Sequence, residues 1–224
     1  MKPIKAEFHF HTKESSHCSD VSVEESIPVY KEHGYELIVV TDHFSMEYTL
    51  PGRPWEEQVE RYLEGYKKAK EVGDRIGVKI MFGTEFRFST GNCDDFLAYG
   101  HDVDFLYDHP FIYEKTVDEA YKYFRECGVY FSQAHPFREE IRLCNPDYLD
   151  GIEVFNGHAD HDSHNDVALK YSIEHDLIGT CGTDFHHRNG YCKTAMMLEY
   201  MPEKQSDLAK ILFERKFTRV THQQ

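Results

Sequence analysis

The sequence predicts an α/β fold built on a mostly parallel sheet, and three observations carry that expectation. Short runs rich in β-branched and aromatic residues alternate with longer runs of helical periodicity along the 224 residues. Capping signals and helix-stop glycines punctuate the alternation. Residues able to bind a divalent cation fall where strand-like runs end, at His9-Phe10-His11, His17, Asp42-His43, Glu85, His109, His135 and Asp184-Phe185-His186.

Strands are expected at 4–10, 37–41, 78–86, 103–107, 129–134, 151–155 and 177–182, each short and rich in Val, Ile, Phe or Tyr. Helices are expected between them. Ser22 with Glu25 makes a capping box before a helix at 23–33, and Gly34 stands in the stop position; Thr116, Glu119 and Gly128 repeat the device around 117–127. Further helical patterns cover 54–74, 165–175 and 203–214. Three long connections (44–54, 87–101 and 136–150) belong to the rim of the fold. With no internal repeat and no Pro/Gly/Ser linker, residues 1–224 are expected to form one domain.

Composition narrows the function classes. The 40 Asp+Glu against 25 Lys+Arg give a formal charge of -15, which repels a phosphodiester backbone, so extended nucleic acid is not expected as a partner. There is no apolar leader segment and no run of about 20 apolar residues, so a soluble cytoplasmic protein with no membrane partner is expected. The six cysteines (18, 93, 127, 144, 181 and 192) form no C-x-x-C pair and are read as reduced thiols.

The spacing of the candidate ligands carries chemistry. Side chains alternate along an extended strand, so His9 and His11 project from one face and can grip one cation; Asp184 and His186 can do the same. Imidazole suits Zn, Fe or Mn, and a carboxylate can bridge two cations. In β/α barrels the active site is assembled from the carboxyl ends of several strands, which is how residues so far apart in sequence would converge. The chain holds 15 histidines, and the dense segment Asn156-Gly157-His158-Ala159-Asp160-His161-Asp162-Ser163-His164 is read mainly as a solvated loop and helix cap.

The order H-x-H, T-D-H, G-T-E, H, A-H-P, G-T-D-x-H, here His9-Phe10-His11, Thr41-Asp42-His43, Gly83-Thr84-Glu85, His109, Ala134-His135-Pro136 and Gly182-Thr183-Asp184-Phe185-His186, resembles the PHP (polymerase and histidinol phosphatase) family. His17 resembles the third N-terminal ligand of its stand-alone phosphoesterases. His109 has His101 as the alternative for its role. The resemblance implies a distorted (β/α)7 TIM-like barrel with two or three divalent ions (Zn, Fe or Mn) at the C-terminal ends of the strands. It implies His9, His11, Glu85 and Asp184 around one ion, Glu85, His109 and His135 around a second, and His17, His43 and His186 around a third. Glu85, Asp184 and His186 would be the catalytic members.

The implied reaction is hydrolysis of a small phosphomonoester by in-line attack of a metal-bound hydroxide. Arg138 and Arg188 are placed to reach phosphate oxygens, Asn156 to offer a polar group at the barrel mouth, and Asp42 to orient an imidazole from behind. Histidinol phosphate is one substrate the resemblance suggests; an exonuclease or phosphotyrosine phosphatase would use the same site. A non-catalytic metal-binding scaffold or regulatory PHP domain is the alternative class. The completeness of the ligand set favours catalysis.

Overall fold

The branched and aromatic runs extend because their side chains pack well on a pleated, buried surface, and helices connect several of them to the next. In the computed structural model, residues 2–89 and 94–221 are described; Cys93 and part of the expected 87–101 connection lie outside the described residues. The first half contains β1 (Ile4–Phe10), α1 (Val23–Glu32), β2 (Leu37–Val40), β3 (His43–Phe44), α2 (Trp55–Tyr62), α3 (Glu64–Ile76), β4 (Lys79–Arg87) and β5 (Asp95–Tyr99). The second contains α4 (Asp104–Asp108), α5 (Val117–Glu126), β6 (Tyr130–Gln133), β7 (Gly151–Asn156), α6 (Asn165–Glu174), β8 (Ile178–Gly182), β9 (Thr194–Leu198), α7 (Gln205–Phe213) and β10 (Phe217–Thr221).

The strands form one sheet in the order β10-β9-β1-β2-β4-β5-β6-β7-β8, with β3 paired to β4. Pairings β1/β2, β2/β4, β6/β7 and β7/β8 are parallel. A parallel bridge between Phe10 and Phe185 brings the chain leaving β8 against β1, so the strands from β1 round to β8 nearly close. This is the expected distorted TIM-like barrel. Its distortion has two sources: β5 runs antiparallel to both neighbours, and β9 with β10 adds an antiparallel flap outside β1.

Several local expectations need correction. Where a strand was expected over 103–107 the chain forms helix α4, since a short run with apolar residues at 103 and 105–107 fits either period and Asp102 accepts the Phe105 amide at 3.3 Å, in the manner of a helix start. The helix expected over 54–74 breaks at Leu63, where the Ser15 hydroxyl enters the helical ladder, donating to the Tyr62 carbonyl (2.6 Å) and accepting from the Gly65 amide (2.8 Å). The box at Thr116 forms, with Glu119 accepting the Thr116 amide at 3.0 Å. At Ser22 it does not, because Glu25 is held by Arg188 instead. Strands β5, β9 and β10 were not expected.

Packing fixes the barrel around its mouth. Val23, Ile27 and Tyr30 of α1 and Val72 of α3 cover Phe10, Ile38, Val40 and Ile80, while Leu208, Ile211 and Leu212 of α7 pack against β5 and β6. A third cluster joins Phe44, Phe86, Phe124 and Phe131. Burying each such side chain contributes on the order of 1.5–3 kcal/mol. The described cysteines are all free. Among the described residues no helix is long and apolar enough to cross a membrane.

Candidate metal centre

β1 aims His9 into the barrel mouth, and His11, just past its end, follows on the same side; both are fully buried. Their Nε2 atoms face each other at 3.0 Å. His9 Nε2 lies 3.2 Å from Glu85 Oε1 and 3.3 Å from Asp184 Oδ1; His11 Nε2 lies 3.2 Å from Glu85 Oε2 and 3.3 Å from Asp184 Oδ1. The register of β3 on β4 sets His43 directly beside Glu85, and His43 Nδ1 comes within 2.8 Å of Glu85 Oε2. From the far side His135 Nε2 stands 3.3 Å from Glu85 Oε1. One carboxylate therefore faces four imidazoles, two on each oxygen.

His135 and Asp184 sit just beyond β6 and β8 with φ of 30° and 49°, a left-handed conformation that costs on the order of 1–3 kcal/mol outside glycine. It turns both side chains inward over the mouth. Gly182 lets β8 come this close, because a Cβ there would lie 2.2 Å from the His9 Cβ. His11, His43 and His186 form a second set whose ligand atoms lie within 4.8 Å of one another, as do His43, Glu85 and Asp95, and His158, Asp184 and His186.

The electrostatics agree with the geometry. Burial opposes ionisation of Glu85 and Asp184, yet His43 and His9 hold Glu85, and His9 and Arg138 hold Asp184, well below the usual carboxylate range. Burial likewise opposes a charged His9, and Glu153, Asp184 and Glu85 raise it well above the ordinary imidazole value. Although close to imidazole nitrogens, neither Glu85 oxygen nor His43 Nδ1 makes an aligned hydrogen bond. A buried carboxylate in that condition is costly unless a cation sits among the donors. The mixed imidazole and carboxylate set fits Zn, Fe or Mn.

Of the expected ligands, His9, His11, His43, Glu85, His135, Asp184 and His186 are brought together. His17 is not: it is exposed, its ring stacked on Tyr48 at 4.3 Å, and Cys18 faces the cleft in its place. Burial would raise the Cys18 thiol, but the neighbouring imidazoles of His186 and His43 pull it down to about 4. His109 caps the end of α4, engaged by the Phe105 carbonyl and the Tyr123 hydroxyl. Its alternative, His101, is buried among Phe82, Phe86 and Phe105. Near His135 and Glu85 the structure sets Asp95 instead. Because β5 is antiparallel, its amino end reaches the mouth, where Asp95 Oδ2 lies 3.9 Å from His135 Nε2.

The supporting residues also differ from expectation. Asp42 orients no imidazole; it accepts from the Thr12 amide (2.7 Å) and hydroxyl (2.8 Å) and the Ser16 hydroxyl (2.7 Å), fixing the loop after β1. Glu153 on β7 does what Asp42 was expected to do, with Oε1 at 3.0 Å from His9 Nδ1 and Oε2 accepting the His135 amide (3.1 Å). Asn156 is buried rather than open to the mouth, donating to Glu153 (2.8 Å) and Asp184 (3.2 Å) and accepting from Arg138 (3.0 Å). Arg138 reaches the cleft, bound to Asp184 at 2.6 Å. Arg188 points away, forked onto Glu25 at 2.6 and 2.7 Å; the second cleft arginine is Arg87, forked onto Asp95 at 2.7 and 2.8 Å. His158, read as part of a loop, packs against His186 with ring centroids 5.3 Å apart.

The fold and site together define an α/β barrel that gathers imidazoles and carboxylates for divalent cations at one mouth. The chain belongs to the PHP domain family, whose model matches residues 7–218. No curated protein matches the sequence. Among solved structures it is similar to PsfC from Pseudomonas syringae (TM-score 0.66, 17% identity, covering 99% of this chain and 93% of that one). It is also similar to a two-domain protein from Bacteroides vulgatus containing a predicted PHP-like metal-dependent phosphoesterase (TM-score 0.63, 16% identity, 98% of this chain). A third is the lesion-specific endonuclease PfuEndoQ from Pyrococcus furiosus (TM-score 0.58, 16% identity, 95% of this chain). The chain spans 65% of the Bacteroides protein and 56% of the endonuclease. At these identities the likeness is one of fold.

Proposed function

We propose that the chain is a divalent-cation-dependent phosphoesterase that hydrolyses a small phosphomonoester. The observation that carries this reading is Glu85, fully buried, with both oxygens turned to imidazoles and neither in an aligned hydrogen bond. Two or three ions held by His9, His11, His43, Glu85, Asp95, His135, Asp184 and His186 would supply an activated water and positive charge for the phosphoryl oxygens. Arg138 and Arg87 face the same cleft, and guanidinium forks match phosphate oxygens better than lysine does. Each is anchored on a carboxylate, which limits its motion before substrate arrives.

A cavity of about 280 Å³ has room for a phosphate and a modest leaving group. Together with the charge of -15, that size favours a small monoester over a polynucleotide. The test is phosphate release from a panel containing histidinol phosphate, nucleoside monophosphates and phosphotyrosine. Release should vanish on chelation, return with Zn, Fe or Mn, and be lost in Glu85→Gln. Hydrolysis indifferent to chelator and to that substitution would refute the reading.

A further inference from the structure

The loop after β1 presents neighbouring residues in opposite directions, and its anchors decide which one faces the cleft. Ser16 donates to Asp42 (2.7 Å) and accepts the His43 amide (3.1 Å); Ser19 and the Asp20 amide both donate to the His186 carbonyl, each at 3.1 Å. Residues 17 and 18 are thus strapped between the segments that carry His43 and His186. With those ties in place His17 turns out to solvent against Tyr48, and Cys18 turns in beside His43 and His186. A second observation points independently to a ligand there: His43 and His186 are buried and, with His11, offer ligand atoms that lie within 4.8 Å of one another.

We propose that Cys18, and not His17, supplies the loop ligand of a cation held by His43 and His186. This rests on the metal-dependent reading above. The coordinating form is the thiolate: its proton goes to bulk water before or on binding, and a sulfur lone pair forms the bond to the cation. A sulfur donor changes the character of this position, because thiolate favours Zn or Fe where an all-imidazole and carboxylate set also accepts Mn. The other members of the centre offer only nitrogen and oxygen, so a sulfur signature reports this position alone.

Cobalt(II) reconstitution tests it without reference to activity. The wild-type protein and His17→Ala should both show a near-ultraviolet sulfur-to-cobalt charge-transfer absorption, and Cys18→Ser should lose that absorption together with one bound equivalent. Visible cobalt bands with no sulfur absorption in the wild type would overturn the thiolate while leaving the cation centre intact. Loss of an equivalent in His17→Ala but not in Cys18→Ser would do the same. No cobalt bound at all would sink the metal-dependent reading and the thiolate with it. The wild-type spectrum needs no variant, so misfolding of Cys18→Ser would not shield the proposal.

Discussion

Glu153 Oε1 holds His9 Nδ1 at 3.0 Å, which leaves the opposite ring nitrogen of His9 directed at Glu85 and Asp184. A carboxylate behind an imidazole fixes its tautomer and raises its basicity toward a cation. Glu153→Gln keeps the shape but weakens both effects. It is expected to lower cation affinity about 10- to 100-fold, measured by chelator competition. Unchanged affinity would mean that His9 needs no such support.

Arg138 lines the cleft and Arg188 pairs with Glu25 at the surface, so the two arginines should differ in their effect. Arg138→Ala removes a guanidinium bound to Asp184 at the cleft and should lower kcat/KM about 10- to 100-fold, the worth of one or two charged hydrogen bonds. Arg188→Ala removes only an exposed pair with Glu25 and should stay within about twofold. Steady-state kinetics on the best substrate of the panel decides; equal effects would contradict the placement.

Gly182 is required by close approach. In Gly182→Ala the new methyl would meet His9 Cβ at 2.2 Å and the His9 amide nitrogen at 2.8 Å, so β8 or β1 must shift. The variant should lose roughly 1–3 kcal/mol of stability and part of its bound cation. Thermal unfolding with metal analysis checks both, and wild-type values for the two would show that the strands can part freely.

His101 should give the protein an acid-sensitive limb. Burial pushes its pKa from 6.5 down to about 4, so the folded protein keeps the ring neutral while the unfolded chain takes up a proton. The associated stability is complete above pH 6.5 and drains away as pH falls toward 4, by about 3 kcal/mol. His101→Phe should fall correspondingly less than wild type over that window in denaturant titrations. Parallel curves would show that His101 titrates normally.

Much of the barrel was legible because buried strands carry their own signature. The runs at 4–10, 37–41, 78–86, 129–134, 151–155 and 177–182 all extend within a residue or two of expectation. What failed was whatever the third dimension decides. Asp95 was overlooked because the carboxyl-end rule holds only for parallel strands, and nothing in Asp95-Phe96-Leu97-Ala98-Tyr99 reveals that β5 runs backwards. His17 and Cys18 are adjacent, and only the ties of Ser16 and Ser19 choose between them. Glu153 lies in the strand expected at 151–155, but its task behind His9 depends on closure of the sheet, which sets β7 only one strand, β8, away from β1. His109 shows the converse: a histidine in plausible order that α4 draws onto Tyr123.

The most direct measurement is elemental analysis of chelator-free protein, wild type beside Glu85→Gln. Two or more equivalents of Zn, Fe or Mn per chain are predicted for the wild type, with a clear deficit in the variant, as a shared carboxylate requires. A wild type holding less than about a tenth of an equivalent, even after reconstitution, would contradict the account at its root.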